Sequence, residues 1–149
     1  MSAPTAAIEL AHQVAAADAA FVRHGLLAHN EPFLGQSDHA RFAVMARVAG
    51  ALVGGLVAET GRGALFIDLF WLAPDQRRQG LGSRLLAAAE AEARRLGCRV
   101  AWLDTYDFQA RAFYERHGYL LFGELDGLAN GHRRLFLKKR LDQPSAADA

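Results

Sequence analysis

Residues 64–72, ALFIDLFWL, are apolar at odd and even positions alike, with Asp68 the one exception. A strand with one wet face alternates apolar and polar residues, so this run predicts a central strand covered on both faces. A chain built around it needs a sheet with helices on each side, and a carboxylate at Asp68 is costly there unless something compensates it. At 149 residues, 52% of them apolar, the chain suffices for one domain with a substantial core.

The other segments fit around that strand. RFAVMARV and ALVGGLVAET are two β-rich runs joined at Ala49-Gly50, a hairpin signal. Leu85, Ala89, Ala93 and Leu96 recur at helical spacing, Glu90 and Arg94 pair on another face, and Gly97 is placed to end a helix over 81–96. CRVAWLDT (98–105) reads as a buried strand, and FQARAFYERHGY (108–119) as a helix with Arg111 paired to Glu115 and Gly118 as its cap. YLLFGEL and HRRLFLKKRL close the chain as strands. At the front, IELAHQV (8–14) is the expected first strand, 15–30 a helix, and FLGQSDHA (33–40) a loop. The order predicts an α/β fold of the α+β type, a mixed, mostly antiparallel sheet flanked by helices on both sides. One domain, 1–149, is expected, with frayed tails at 1–7 and 142–149.

Charge and cysteine content narrow the function classes. A net charge of +1 argues against nucleic acid as a partner, and the five Lys and Arg of HRRLFLKKR (132–140) read as the solvent side of a strand. The longest uncharged apolar run, VAGALVGGLVA (48–58), is too short to span a bilayer, and no secretory signal is visible at the start, so no membrane role is expected. Cys98 is alone, which fits a reducing cytoplasm, and the six histidines show no metal spacing.

The junction APDQRRQGLGSRLL (73–86) carries the chemistry. It places backbone N–H groups, the positive end of a helix dipole, Arg77 and Arg78 together, a natural anion site. A Walker loop needs G-x-x-x-x-G-K-S/T, which is absent, and a dinucleotide fingerprint needs a third glycine where this chain has Leu85. A tight strand-to-helix connection alone also accounts for Gly80 and Gly82.

RRQGLG (77–82) matches the Arg/Gln-x-x-Gly-x-Gly/Ala signature of the GNAT superfamily of N-acetyltransferases, and FYERHGY (113–119) is similar to that family's second landmark, one strand later. The resemblance implies acetyl-coenzyme A as co-substrate and a primary amine as acceptor, with a homodimer left open. It implies that the sheet splays between 64–72 and 99–105. Phe70, Trp71 and Leu72 would then hold the pantetheine arm, and Arg77, Arg78, Gln79, Gly80, Leu81, Gly82 and Ser83 the pyrophosphate. Asp107 stands where the family often has a cofactor-contacting Asn. Tyr114 matches the tyrosine near the coenzyme sulfur, the candidate general acid. Asp68 lies where some members carry an acidic substrate contact, and is the candidate to bind the amine or relay its proton; a structural salt bridge accounts for it nearly as well. Asp104 and Thr105 either line the same cleft or cap the next helix. Cys98 lacks a partner base for an acyl-enzyme role. The alternative function is a non-catalytic acyl-coenzyme A binding module or sensor.

Overall fold

The computed structural model describes residues 1–143 and divides the chain into two units, Met1–Ser37 and Asp38 onward. The first unit holds one helix, α1 (Ala16–Leu34), closed by Gly35, whose N–H reaches the Glu31 carbonyl at 2.8 Å. No strand forms at 8–14. A short alternating run becomes a strand only where a neighbour pairs its backbone, and this unit contains no second strand. The helix also runs through Pro32 to Leu34, past the expected end at 30, so the loop shrinks to 35–39.

The second unit is a six-stranded sheet flanked by helices. Its elements are β1 (Ala40–Val48), β2 (Ala51–Gly61), β3 (Ala64–Leu72), α2 (Leu81–Arg95), β4 (Val100–Tyr106), α3 (Arg111–Arg116), β5 (Leu120–Leu125) and β6 (Arg134–Arg140). The strand order is β1-β2-β3-β4-β6-β5, and every pairing is antiparallel except β3 with β4, which α2 connects. Ala49 and Gly50 both take positive φ, the turn that lets β1 and β2 follow each other directly. α2 ends as expected: Gly97, at φ 85°, lets the amides of Gly97 and Cys98 return to the carbonyls of Arg94 and Ala93.

Leu56, Ala58, Leu65, Ile67, Leu103, Leu135 and Leu137 meet Leu86, Ala89 and Ala93 of α2 in the core. Each fully buried leucine contributes about 1.5–3 kcal/mol. Two expectations for α2 change. Leu96 falls at the helix cap and is exposed, and Glu90 is buried rather than on a solvent face. Glu90 accepts from Lys139 Nζ at 2.8 and 3.0 Å and from the Tyr119 hydroxyl at 3.0 Å, with Arg94 at 3.9 Å. The cationic run at 132–140 is largely spent in the same way: Arg133 binds Glu124, Arg134 binds Asp104 and Arg140 binds Asp142. No helix among the described residues is long and apolar enough to cross a membrane.

Two irregularities in β3 position the site. Leu69 pairs with Val57 and Ile67 with Ala58, so Asp68 is an extra residue, a β-bulge. Leu65 and Ile67 face the core before it, while Asp68 and Leu69 are both exposed after it. Phe70 and Leu72 thus turn toward the helices. The second irregularity is where pairing stops: β3 and β4 are bonded only from Ala64 with Val100 to Ile67 with Leu103. Beyond that level β3 stays on β2 as far as Leu72, and β4 stays on β6 as far as Tyr106. The two central strands therefore part.

Candidate active site

Between Leu72 and α2 the chain makes a 3₁₀ turn, Pro74–Gln76, and a loop braced from within. Arg77 Nε donates to the Leu72 carbonyl at 3.1 Å and Gln79 Nε2 to the Asp75 carbonyl at 3.0 Å. Arg78 holds a left-handed φ of 62° and makes no hydrogen bond or ion pair among the described residues. Gly80, at φ 77°, starts α2 with no side-chain cap. The amides of Leu81, Gly82 and Ser83 precede the first intrahelical bond, from Arg84 N–H to the Gly80 carbonyl, and point out of the helix end. A Cβ on Gly82 would lie 3.4 Å from the Phe113 ring and 3.6 Å from a Leu72 methyl, so α3 and β3 close on this glycine from two sides.

Tyr114 is the buried residue of α3. Its ring packs edge-on against Phe70 at 6.3 Å, Phe113 at 5.2 Å and Tyr119 at 5.8 Å. Burial pushes its phenol up to about 12. The hydroxyl has no hydrogen-bond partner among the described residues, and no buried side-chain oxygen there lacks one, so it opens to solvent. Phe70, turned inward by the bulge, brings Tyr114 to the place where β3 and β4 separate.

Asp68 is not the buried carboxylate that its apolar neighbours in the sequence predict. Its side chain is 34% exposed and pairs with Arg41 at 3.4 Å, because the bulge puts it on the outer face of the strand. Trp71, also on that face, is 60% exposed, while Phe70 and Leu72 face the helices. Asp107 is committed elsewhere: it accepts from the Arg133 amide at 3.0 Å and meets His132 Nδ1 at 2.9 Å. These two contacts, the backbone amide foremost, hold its carboxyl below the usual range. Asp104 is bound by Arg134, and Thr105 is buried and donates to Gln109, so neither is an open cleft residue. Cys98 is buried and burial raises its thiol, which suppresses the thiolate an acyl-enzyme would need.

His117 and Arg41 were not singled out by the sequence. His117 touches Ser83 and Phe113; its place one helical turn after Phe113 was the available signal. Arg41, two strands away from Asp68, offered none. A cleft of about 510 Å³ lies between α2 and β1, lined by Val44, Val48, Gln79, Leu81, Arg84 and Ala88. It includes neither Tyr114 nor the parted strands, but it shares Gln79 and Leu81 with the loop and the start of α2.

A protein with this arrangement is built as an acetyltransferase. Its fold matches a crystal structure from Agrobacterium tumefaciens assigned to that class, with a TM-score of 0.82 at 34% identity over 91% of this chain and 99% of that one. The profile of the Acetyltransferase (GNAT) family covers residues 11–119, and the chain belongs to that family. An acetyltransferase of Agrobacterium fabrum is 38% identical over 120 residues, 80% of this chain and 88% of the relative. The blasticidin-S acetyltransferase of Streptomyces morookaense is 43% identical over 93 residues, 62% of this chain and 68% of the relative.

Proposed function

We propose that this acetyltransferase moves an acetyl group from acetyl-coenzyme A directly to a primary amine. The observation that carries the reading is the parting of β3 and β4 after Ile67 and Leu103, beside an uncapped helix start. Acetyl-coenzyme A supplies a thioester already activated for acyl transfer. The amides of Leu81, Gly82 and Ser83 and the unpaired Arg78 form an anion cradle that fits its pyrophosphate. Arg77, Gln79 and Gly80 keep that cradle in shape. The backbone of Phe70, Trp71 and Leu72, unpaired on the β4 side, offers hydrogen bonds to an amide-bearing arm.

Tyr114 keeps its proton at any physiological pH and donates it toward the departing sulfur. Asp68, exposed on the outer face of β3 beside Arg41, is the carboxylate placed to attract the ammonium group of an acceptor or to relay its proton. Asp107 fixes the open end of β4 rather than offering a free carboxylate to the cofactor arm. The family match crosses the boundary at Ser37, which supports treating 1–149 as one functional domain. The free thiol of Cys98 supports a reducing, cytoplasmic setting.

The test is thiol release from acetyl-coenzyme A with a panel of primary amines that includes blasticidin S. Release that requires one of these amines is the expected result. No amine-dependent release, with the protein folded and the cofactor bound, would overturn direct transfer to an amine.

A further inference from the structure

Ser83 stands in the first turn of α2, and His117 directly follows the last turn of α3. Ser83 Oγ and His117 Nε2 are 2.8 Å apart in a half-buried pair. The imidazole also rests on Phe113, at 4.8 Å between ring centres, and Phe113 is the ring that crowds Gly82. His117 therefore forms the α3 wall of the cradle. Among the described residues no carboxylate pairs with it. The titratable groups around it are otherwise placed. On α2, Glu90 is held by Lys139 and Tyr119, and Arg84 makes no side-chain hydrogen bond or ion pair. On α3, Glu115 is bound by Arg111, and Arg116 is exposed; on the loop, Arg77 is tied to Leu72.

A serine hydroxyl has one proton, and its neighbour decides where that proton points. When His117 Nε2 carries a lone pair, Ser83 donates to it and shows the cradle only its oxygen. When Nε2 carries a proton, His117 donates to Ser83 Oγ, and the serine proton is released toward whatever the cradle holds. Protonation of the ring also adds a full positive charge beside the three free amides. We propose that His117 is a further binding residue of the pyrophosphate subsite, acting through Ser83 as the group that makes its hydroxyl a donor. This rests on the reading of 77–83 as the pyrophosphate cradle. By linkage the bound anion raises the ring's pKa. Affinity is then greater at acid pH, where the ring carries its second proton, than at alkaline pH, where it does not.

Dephospho-coenzyme A is the probe, because it keeps the pyrophosphate and lacks the 3′-phosphate, which titrates near pH 6 itself. Calorimetry between about pH 5.5 and pH 8.5 should show affinity falling about three- to tenfold in the wild-type protein. In His117→Gln the affinity should be flat across that range. Ser83→Ala should bind more weakly and also be nearly flat. In the wild-type protein, the NMR titration midpoint of the His117 ring should move up on saturation with the probe, a readout that needs no variant. Wild-type protein that fails to bind the probe at every pH would overturn the cradle reading itself. Binding with the same pH dependence in His117→Gln, or an unmoved His117 midpoint, would overturn this inference alone. A pH dependence that survives in Ser83→Ala would overturn the route through the hydroxyl.

Discussion

At its start α2 leaves the amides of Leu81, Gly82 and Ser83 without acceptors, capped by no side chain. Two turns further on, the same helix buries Glu90 with its carboxylate held by Lys139 and Tyr119. One part of the helix leaves its donors unpaired; the other encloses a carboxylate and supplies every donor from within. The difference shows how an open helix start and a closed, fully paired interior can be separated along 15 residues. An unsatisfied end costs little while water reaches it, whereas a buried carboxylate is tolerable only when fully paired. Substitutions at the two ends should therefore fail in different currencies.

The largest effect belongs to the enclosed end. Lys139→Met leaves Glu90 buried with its main cation gone, which should cost ~3 kcal/mol and lower the melting temperature by about 10 °C. Coenzyme A affinity of the folded fraction, measured well below that transition, should hardly move. A large affinity loss there would erase the division between the ends.

Gly82→Asp attacks the open end. It sets a negative side chain against the Phe113 ring and among the free amides, and coenzyme A affinity should fall about a hundredfold, with melting little changed. Isothermal titration decides it, and affinity close to wild type would move the pyrophosphate elsewhere.

Between the ends stands Tyr114, held by the core yet open at its hydroxyl. Tyr114→Phe should lower turnover about tenfold or more with cofactor affinity nearly unchanged. Because burial keeps the phenol protonated to about pH 12, a wild-type rate measured from pH 7 to pH 10 should show no loss from ionisation of this residue. An alkaline decline in that range that vanishes in Tyr114→Phe would contradict its burial.

Asp68→Asn should have the smallest effect. The Arg41–Asp68 pair is on the surface, so its loss should cost less than about 1 kcal/mol, and melting should barely respond. Turnover should fall most at low pH, where a protonated amine most needs a counter-charge. A loss equal at every pH would leave Asp68 as Arg41's partner and nothing more.

Much of this was legible in the sequence. The hairpin at Ala49-Gly50, the helix over 81–95, its glycine stop and the junction between β3 and α2 follow from turn chemistry and local periodicity, which depend on residues close in the chain. The fate of Glu90 was not, because its partners come from 29 and 49 residues away. Glu90 and Arg94 at i,i+4 read as a surface pair, and only the fold brings Lys139 to the Glu90 carboxylate. Asp68 misled for a different reason: a period-two reading assumes one residue per step on each strand, and the bulge adds one. The missing strand at 8–14 shows the same dependence on partners, since alternation in a sequence says which face would be apolar but not what would pair with it.

That single extra residue also makes β3 a strand with two phases. Upstream of Asp68 the odd positions, Leu65 and Ile67, are committed to the interior; downstream the even ones, Phe70 and Leu72, face the helices while Trp71 looks outward. A map of tolerated substitutions along the strand should switch parity at residue 68, strict at odd numbers before it and at even numbers after it. Deleting Asp68 would remove no core side chain and would let Leu69 follow Ile67 on the partners Val57 and Ala58 that they already have, so Phe70 would stay inward and Trp71 outward while the bulge and its carboxylate were lost.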